Sequence, residues 1–155
     1  MGIVRRARVD DLPAMMHIQA RGLDHMSSWC RASMLSIMSA GAALVAERDG
    51  RIVGYTVAHG CATTAAACSR RIGTYAEHAA AGDPVVVIAQ IVVDPRWQKK
   101  GIGTRLLDSM IRLLRTLGHR DVYTATHLPV RPFFEHAGFR EVPSEKLSRR
   151  LFRLI

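Results

Sequence analysis

The spacing of apolar residues predicts that the chain opens with a strand and two helices. Residues 3–8 alternate between apolar and polar side chains, which indicates a short β-strand. Asp10 or Asp11 is expected to cap the helix that follows, in which apolar residues recur at helical spacing to about Arg21. A second helix is expected within residues 28–38, because apolar residues again recur on one face.

A β-hairpin is predicted next. Residues 43–48 and 51–58 have the composition of strands, and the Asp-Gly pair at 49–50 is a strong signal for a tight turn. Residues 61–83 are rich in alanine and threonine and are expected to form a long connection, with one helix within residues 73–81. A connection of this length in a compact domain often carries function.

The second half of the chain begins with its most apolar segment. Residues 85–93 are almost continuously apolar, which predicts a central strand that is buried on both faces. A glycine-bearing turn follows, and then a helix from about Gly103 to Leu117, with Gly118 as its C-terminal cap. Four shorter elements are expected after it: a strand, a helix and two strands at residues 121–126, 130–137, 139–142 and 149–154. The order predicts a mixed α/β fold and a single domain over residues 1–155.

Charge is the unusual feature of the composition. The chain has 22 lysine and arginine residues against 13 aspartate and glutamate residues, a formal net charge of +9. Such an excess indicates an anionic partner: nucleic acid, an acidic surface or a phosphorylated small molecule. No apolar run approaches the roughly 18 residues of a membrane-spanning helix, no secretory signal is visible, and three cysteines cannot complete a disulfide framework. These features predict a cytoplasmic protein with no membrane partner.

Residues 98–104 form the segment with the clearest chemical character. The N-terminus of a helix presents unpaired backbone N–H groups and a partial positive charge. Gly101 and Gly103 allow a ligand to approach that backbone closely, and two lysines and Arg105 add full positive charges. The segment therefore predicts a pyrophosphate site. It matches neither the P-loop spacing nor the complete dinucleotide-binding fingerprint.

In its context, this segment resembles the GNAT family of N-acetyltransferases. The family signature Q/R-x-x-G-x-G/A matches Gln98 to Gly103, directly after a strand that ends in Val93-Asp94-Pro95. The likeness covers nearly the whole chain, from an Ile-x-Arg-x-Ala-x-x-x-Asp-Leu opening at Ile3 to Phe-Phe-Glu-x-x-Gly-Phe at residues 133–139. It implies a mixed, mostly antiparallel central sheet flanked by helices, with the fourth and fifth strands splayed to hold coenzyme A.

The resemblance implies acetyl-CoA as the acetyl donor, with no metal. Backbone groups of Ile91 and Val93 would pair with the pantetheine arm, and a strand N–H, that of Val92 or a neighbour, would polarise the thioester carbonyl. The acceptor amine would attack the thioester directly, without an acyl-enzyme. The cofactor-binding residues that the resemblance implies are Ile91, Val92, Val93, Gln98, Lys99, Lys100, Gly101, Ile102, Gly103, Thr104, His127 and Phe134.

The chain departs from the family pattern at the catalytic acid. Many members have a tyrosine that reprotonates the CoA thiolate, and the matching residue here is Phe134, which has no proton to give. His127, at the family's asparagine position, is a candidate acid or cofactor ligand, since histidine titrates near neutral pH. Residues 85–93 hold no acidic residue or histidine, so Gln90 is a candidate for orienting a water and His59 a candidate base. For each of these three residues a structural or solvated role is the alternative.

The cysteines and histidines form no familiar metal or nucleophile pattern. His59, Cys61, Cys68 and His78 can be drawn together as ligands, but their spacing matches no common zinc motif. No histidine stands at a spacing that singles out one of the three cysteines, so Cys30, Cys61 and Cys68 are expected to be buried as small apolar residues.

The acceptor is predicted from the C-terminal segment. From Phe133 onward the chain resembles the amino-acid acetyltransferase branch, which includes the acetylglutamate synthase domain and often lacks the tyrosine. That implies a small, amino-acid-like acceptor whose carboxylate Arg70, Arg71 or Arg131 would clamp, and the ordinary alternative for each arginine is a solvated surface charge. Acetylation of a protein amine, and a non-enzymatic module that binds CoA or nucleic acid, are the alternatives. The low aromatic content of 6% makes nucleic acid an unexpected partner. A homodimer is possible in this family.

Overall fold

The structure is a computed structural model that describes residues 2–23, 28–40, 42–61, 85–126, 131–142 and 150–154. Within these ranges the elements are β1 (Ile3–Arg6), α1 (Leu12–Gly22), α2 (Arg31–Ala40), β2 (Ala42–Arg48), β3 (Arg51–Cys61), β4 (Val85–Val93), α3 (Ile102–Thr116), β5 (Val122–Thr126), α4 (Arg131–His136), β6 (Phe139–Val142) and β7 (Arg150–Leu154). Short 3-10 turns at Val9–Asp11 and Pro95–Trp97 precede α1 and α3. The predicted connection at 61–83, with its helix, lies outside the described residues except for Cys61.

The strands form a seven-stranded sheet in the order β1-β2-β3-β4-β5-β7-β6. Of the pairings that are described, only that of β4 with β5 is parallel. This confirms the expected mixed, mostly antiparallel sheet, and it confirms that the apolar segment 85–93 is the central strand. The expectation that this strand is buried on both faces was only partly right, because Ala89, Ile91 and Val93 are half-buried. The chain divides into two compact units, residues 1–58 with 90–113 and residues 59–89 with 114–155. One acetyltransferase domain over residues 1–155 stays a prediction.

The first unit is built around the predicted hairpin. Asp49 and Gly50 adopt left-handed φ values of 52° and 75°, as a tight turn between twisted strands requires. Gly54 of β3 allows very close packing, since a Cβ there would lie 3.0 Å from the carbonyl oxygen of Val92 and 3.1 Å from a methyl group of Leu106. Because Gly54 has no side chain, the backbone of β3 can lie directly against both β4 and α3.

Asp11 occupies the N-cap position of α1, as predicted, but its carboxylate does not cap that helix. It accepts hydrogen bonds from the backbone N–H of Arg8 at 2.7 Å and from the Arg5 guanidinium at 2.8 and 2.9 Å. Arg5 also donates to Glu47 at 2.8 Å. The Arg5 guanidinium lowers the pKa of Asp11. The capping expectation was wrong because a cation on β1 competes for this carboxylate and joins β1, α1 and β2.

The second unit has an aromatic core. Phe134 of α4 is buried and packs edge-on against Phe133 and Phe139, with ring centroids 5.2 and 5.7 Å apart. Gly118 closes α3 with a φ of +89°, which confirms the predicted C-terminal cap. Leu117, the expected last residue of that helix, is 54% exposed. It lies one residue beyond the last helical residue, where helical spacing no longer directs the side chain.

Candidate functional site

The turn between β4 and α3 has the backbone shape of an anion-binding site. Lys99 and Gly101 both have left-handed φ values, +59° and +82°, while Lys100 between them does not. Alternation of this kind turns successive backbone N–H groups toward one side, and such concave turns bind anions. A left-handed conformation costs a non-glycine residue about 1–2 kcal/mol, so Lys99 is a strained residue within the turn.

Gly101 occupies the N-cap position of α3 but has no side chain that could cap the helix. Its carbonyl accepts the N–H of Arg105 at 3.1 Å, which places Gly101 at the N-cap of the helix. Glycine has no side-chain oxygen to satisfy the N–H groups of residues 102–104, and the first turn of α3 has no acidic residue. A Cβ on Gly101 would meet no atom within 4 Å. The surface at Gly101 is therefore open to a ligand, and the uncapped N–H groups beside it fit a pyrophosphate group.

The cations around this turn are used in different ways. Lys99 and Lys100 are exposed, and no ion pair of either lysine is found within the part of the chain that the structure describes. Arg105 instead donates to the carbonyl oxygen of Gly2 at 3.0 Å. The expectation that Arg105 adds its charge to the turn is therefore weakened by its contact with the N-terminal segment, whereas both lysines remain available to an anion.

A groove of about 380 Å³ adjoins the turn, and its lining includes Arg51, Ile52, Trp97 and Lys100. The Arg48 guanidinium lies 5.1 Å from the centroid of the Trp97 ring. This cation–π contact connects the β2–β3 hairpin to the turn. Three cations, Arg51, Arg96 and Lys100, line the groove.

Asp94 is an acidic residue of this groove, and its carboxylate is directed into the protein. It is buried and accepts the backbone N–H of Arg96 at 3.0 Å, while the guanidinium groups of Arg96 and Arg21 lie within 3.4 and 3.9 Å of it. The N–H of Arg96 is the largest cause of the lowered pKa of Asp94. Its negative charge is therefore balanced locally and does not oppose an anion at the turn.

The two halves of β4 direct their hydrogen-bonding groups to different neighbours. At the start of the strand, Val86 donates its N–H to Asp121 at 3.0 Å, and Ile88 accepts from the hydroxyl of Thr124 at 3.0 Å. Both contacts face β5. The register with β5 comprises the pairs from Val86 with Val122 to Ile88 with Thr124, and β4 continues to Val93.

The end of β4 faces β3 with residues of the same parity. The backbone carbonyl of Gln90 accepts a hydrogen bond from the Thr56 hydroxyl at 2.9 Å, and the N–H of Asp94 donates to the Val53 carbonyl at 2.8 Å. In a regular strand, alternate residues direct their groups to the same edge. The change of edge between Ile88 and Gln90 is therefore the signature of a β-bulge.

The bulge determines which groups of β4 are directed away from β3. By alternation from Asp94, Val92 directs its N–H toward β3, whereas Ile91 and Val93 direct their N–H and carbonyl groups to the opposite edge. The Gln98 side chain donates to the Val93 carbonyl at 3.2 Å and so connects the turn to this edge. For the predicted thioester contact, the geometry favours the neighbours Ile91 and Val93 over Val92.

Gln90 is buried and already hydrogen-bonded. Its amide accepts from the Tyr55 hydroxyl at 2.7 Å and donates to the Gln19 amide at 3.0 Å. Burial raises the pKa of Tyr55, so its hydroxyl stays a donor. The sequence analysis did not predict that Gln19 and Tyr55 bind Gln90. The position of a glutamine on the apolar face of α1 was the available sign of a buried hydrogen bond. The water-orienting role of Gln90 stays a prediction.

The remaining candidates fall in the second unit or outside the described residues. His59 lies half-buried near the end of β3, Phe134 is buried in α4, and Arg131 begins α4. His127, Arg70 and Arg71 lie outside the described residues, so their roles stay predictions. The first unit brings together Ile91, Val92, Val93 and residues 98–104.

The cysteine and metal expectations have separate outcomes. Cys30 is exposed, so the expectation that it is buried was wrong. It precedes α2, where the Ser33 hydroxyl and backbone N–H groups lower its thiol pKa. Within the described ranges, no cluster of histidine, cysteine and acidic residues is arranged for a metal ion. Cys68 and His78 of the alternative zinc set lie outside those ranges. No described helix is long and apolar enough to cross a membrane.

Comparison of the sequence with models of known protein families identifies the family of this chain. The model of the Acetyltransferase (GNAT) family matches residues 11–139. The chain therefore belongs to the GNAT family. No curated protein has a sequence that matches this chain significantly.

Solved structures share the fold at low sequence identity. The ribosomal-protein-S18-alanine N-acetyltransferase of Escherichia coli is 18% identical, with a TM-score of 0.74 over 99% of this chain and 93% of that one. A mosquito arylalkylamine N-acetyltransferase like 5b is 16% identical, with a TM-score of 0.79 over 99% of each chain. A GNAT family acetyltransferase from Brucella melitensis in complex with acetyl-CoA is 18% identical, with a TM-score of 0.67 over 97% of this chain and 86% of that one.

Proposed function

We propose that this protein is an acetyl-CoA-dependent N-acetyltransferase that acts on the primary amine of a small molecule, an amino acid or an amino-acid-like compound. The turn at residues 98–104 is the observation that carries the acetyl-CoA assignment. It combines two left-handed residues, a glycine N-cap with open space in front of it and two available lysines. A pyrophosphate supplies the negative charge and the acceptor oxygens that such a turn lacks.

The donor is held by backbone groups more than by side chains. The N–H groups of residues 101–104 would bind the pyrophosphate, with Lys99 and Lys100 adding charge. Ile91 and Val93 would pair with the pantetheine arm, because alternation along β4 directs their peptide groups away from β3. Gln98 supports this arrangement through its hydrogen bond to Val93.

Acetyl-CoA, as substrate, supplies an electrophilic thioester. The acceptor amine attacks its carbonyl carbon, the C–N bond forms as the C–S bond breaks, and the amine loses a proton while the thiolate gains one. The N–H of Ile91 or Val93 would stabilise negative charge on the carbonyl oxygen. Phe134 has no ionisable proton, so His127 is the proposed acid and His59 the proposed base, while Gln90 is the candidate for orienting a water.

The acceptor class rests on the resemblance of the segment from Phe133 onward to the amino-acid branch of the family. The similar structures are named for acceptors of both kinds, a ribosomal protein in one and arylalkylamines in another. Arg70, Arg71 and Arg131 are the proposed clamps for an acceptor carboxylate. An exposed, unpaired Cys30 thiol suits a reducing compartment such as the cytoplasm.

A thiol-release assay tests this function. Purified protein with acetyl-CoA is mixed with amino acids, polyamines, aminoglycosides and peptides, each with and without a metal chelator. We expect thiol release with an amino acid or close analogue, unchanged by the chelator. Release with peptides alone would transfer the assignment to protein amines. Acetyl-CoA binding without release for any amine would leave a binding module, and the absence of binding would refute the donor site.

A further inference from the structure

The groove beside the β4–α3 turn is a second candidate binding site in the first unit. Its volume of about 380 Å³ falls within the roughly 300–1,000 Å³ of small-molecule pockets. Asp94 is a buried carboxylate of its lining and accepts the backbone N–H of Arg96 at 3.0 Å. Three cations also line the groove: Arg51, Arg96 and Lys100. The lining therefore has an excess of positive charge, which favours an anionic ligand.

The groove lies on the β3 side of β4, away from the path proposed for the pantetheine arm. Residues 51–53, at the start of β3, form part of its lining. The N–H of Asp94 donates to the Val53 carbonyl at 2.8 Å, so β3 is joined to the end of β4 at this point. The peptide groups of Ile91 and Val93, which are proposed for pantetheine, are directed to the opposite edge of β4. A molecule in the groove would therefore be a second ligand.

Trp97 gives the groove an aromatic wall that is held in place. Its N–H donates to the Asp94 carbonyl at 2.7 Å, and Pro95 begins the 3-10 turn that carries the ring. The Arg48 guanidinium lies 5.1 Å from the ring centroid, although Arg48 does not line the groove. The ring is thus supported from outside the groove and is only half-buried. An aromatic ring fixed in this way offers a stacking surface to a planar ligand at little entropic cost.

Arg51 is a cation of this groove that is available to an anion. It is exposed at the start of β3 and pairs in register with Arg48. Like charges at paired positions of a sheet repel each other, and a nearby anion relieves that repulsion. Arg48 contacts the Trp97 ring, whereas no ion pair of Arg51 or Lys100 is found among the residues that the structure describes. A guanidinium and an ammonium group together suit the oxygens of a phosphate.

We propose that this groove binds a nucleoside phosphate, with the base stacked on Trp97 and the phosphate held by Arg51 and Lys100. The base supplies a planar face to the tryptophan ring, and the phosphate supplies acceptors and negative charge to the two cations. The volume of the groove favours a single nucleotide over a longer polyanion. This site goes beyond the proposed function and does not depend on it.

Lys100 connects the groove to the donor turn (residues 98–104). In the proposed function this lysine adds charge to the pyrophosphate site, and a nucleotide in the groove would draw on the same charge. Bound nucleotide should therefore lower the affinity for acetyl-CoA, and acetyl-CoA should lower the affinity for the nucleotide by the same factor. This coupling rests on the proposed function, whereas the nucleotide site does not.

The Arg51→Glu variant tests the site with adenosine monophosphate, which lacks the pyrophosphate of acetyl-CoA. Calorimetry should show that its affinity falls by at least about tenfold, because a contact with a charged group is lost and a repulsive charge is added. The affinity for acetyl-CoA should stay within about threefold. Gly101→Ala should give the reverse result, with acetyl-CoA weakened and adenosine monophosphate bound normally.

Arg6→Glu is the matched control, because it makes the same change of charge at an exposed position of β1. Arg6 pairs with Leu44 of β2, about 13 Å along that strand from Arg48. It should leave both affinities unchanged. An equal loss of nucleotide affinity in Arg6→Glu and Arg51→Glu would overturn the proposal, because the effect would then come from net charge alone.

Fluorescence tests the stacking contact directly. The chain has two tryptophans, so Trp29→Phe leaves Trp97 as the sole reporter. Adenosine monophosphate should quench its emission, and inorganic phosphate should not. If the nucleotide binds without quenching Trp97, the proposed placement of the base is wrong. Should Arg51→Glu fold poorly, Arg51→Gln removes the charge alone and should lower nucleotide affinity by a smaller factor.

The remaining outcomes separate this site from the donor site. If Arg51→Glu weakens acetyl-CoA as much as adenosine monophosphate, the groove holds the nucleotide end of acetyl-CoA and the proposal is overturned. Binding of an oligonucleotide without binding of the mononucleotide would overturn it as well. If the protein binds adenosine monophosphate through Arg51 but does not bind acetyl-CoA, the proposed function fails and the nucleotide site stands. If both ligands bind and neither affects the other, only the coupling through Lys100 is refuted.

Discussion

Substitution of Gly101 by alanine separates the backbone strain of the turn from its contact with a ligand. Gly101 has a φ of +82°, and a Cβ there would meet no atom within 4 Å. The variant should lose about 1–2 kcal/mol of stability, the cost of left-handed backbone in a residue with a side chain. The new methyl group would project from the N-cap residue of the proposed pyrophosphate site and hinder the close approach of the ligand, so acetyl-CoA affinity should fall by at least about tenfold, or 1.4 kcal/mol.

Gly50→Ala is the matched control. Gly50 has a φ of +75°, and a Cβ there also meets nothing within 4 Å, but it lies in the tight turn of the β2–β3 hairpin. Its stability loss in urea unfolding should equal that of Gly101→Ala, because the strain is the same. Acetyl-CoA affinity, measured by calorimetry at a temperature where both variants are folded, should fall in Gly101→Ala and stay unchanged in Gly50→Ala.

Two outcomes would contradict a pyrophosphate site at Gly101. If Gly101→Ala loses stability but binds acetyl-CoA normally, no ligand approaches Gly101 and the proposed pyrophosphate site is wrong. If both variants lose affinity equally, the effect reflects global destabilisation. Gly118→Ala, at a φ of +89° and with equally open surroundings at the end of α3, gives a second estimate of the strain alone.

Three further predictions concern packing, charge and catalysis. Gly54→Ala should destabilise the protein by about 1–3 kcal/mol in urea unfolding, because its Cβ would lie 3.0 Å from the Val92 carbonyl oxygen, which cannot rotate away; an unchanged midpoint would show that β3 and β4 separate easily. Asp11→Asn should lower the free energy of unfolding by about 2 kcal/mol at neutral pH. Folding lowers the pKa of Asp11, so the stabilisation by its carboxylate is complete above the unfolded pKa of about 4. That stabilisation is lost as the pH falls through the folded pKa. The difference between Asp11→Asn and the unaltered protein should therefore shrink below about pH 4, and a constant difference would contradict the ion pair with Arg5. His127→Ala should lower kcat more than it weakens acetyl-CoA binding, and an unchanged kcat with the correct acceptor would dismiss His127 as the acid.

Local sequence was enough to predict the elements and the donor turn. The hairpin at 49–50, the helix closed by Gly118 and the turn at Gln98–Gly103 depend on turn chemistry and on apolar spacing over a few residues. Such preferences act between neighbours along the chain, so they can be recognised without the fold. The continuous apolar run of 85–93 also indicated a central strand, because such runs are typical of strands in the interior of a sheet. Only the tertiary structure showed that Ala89, Ile91 and Val93 are half-buried.

The tertiary structure alone decided how these elements are used. It placed β7 between β5 and β6, directed the carboxylate of Asp11 to Arg5, and changed the edge of β4 between Ile88 and Gln90. It also joined Gln19 to Gln90 across 71 residues of sequence. Each of these features depends on a partner that is distant along the chain and becomes a neighbour only on folding. Sequence by itself therefore determined the donor turn and the order of elements, whereas the fold determined which peptide groups of β4 are directed away from β3 and which buried amides connect α1 to that strand.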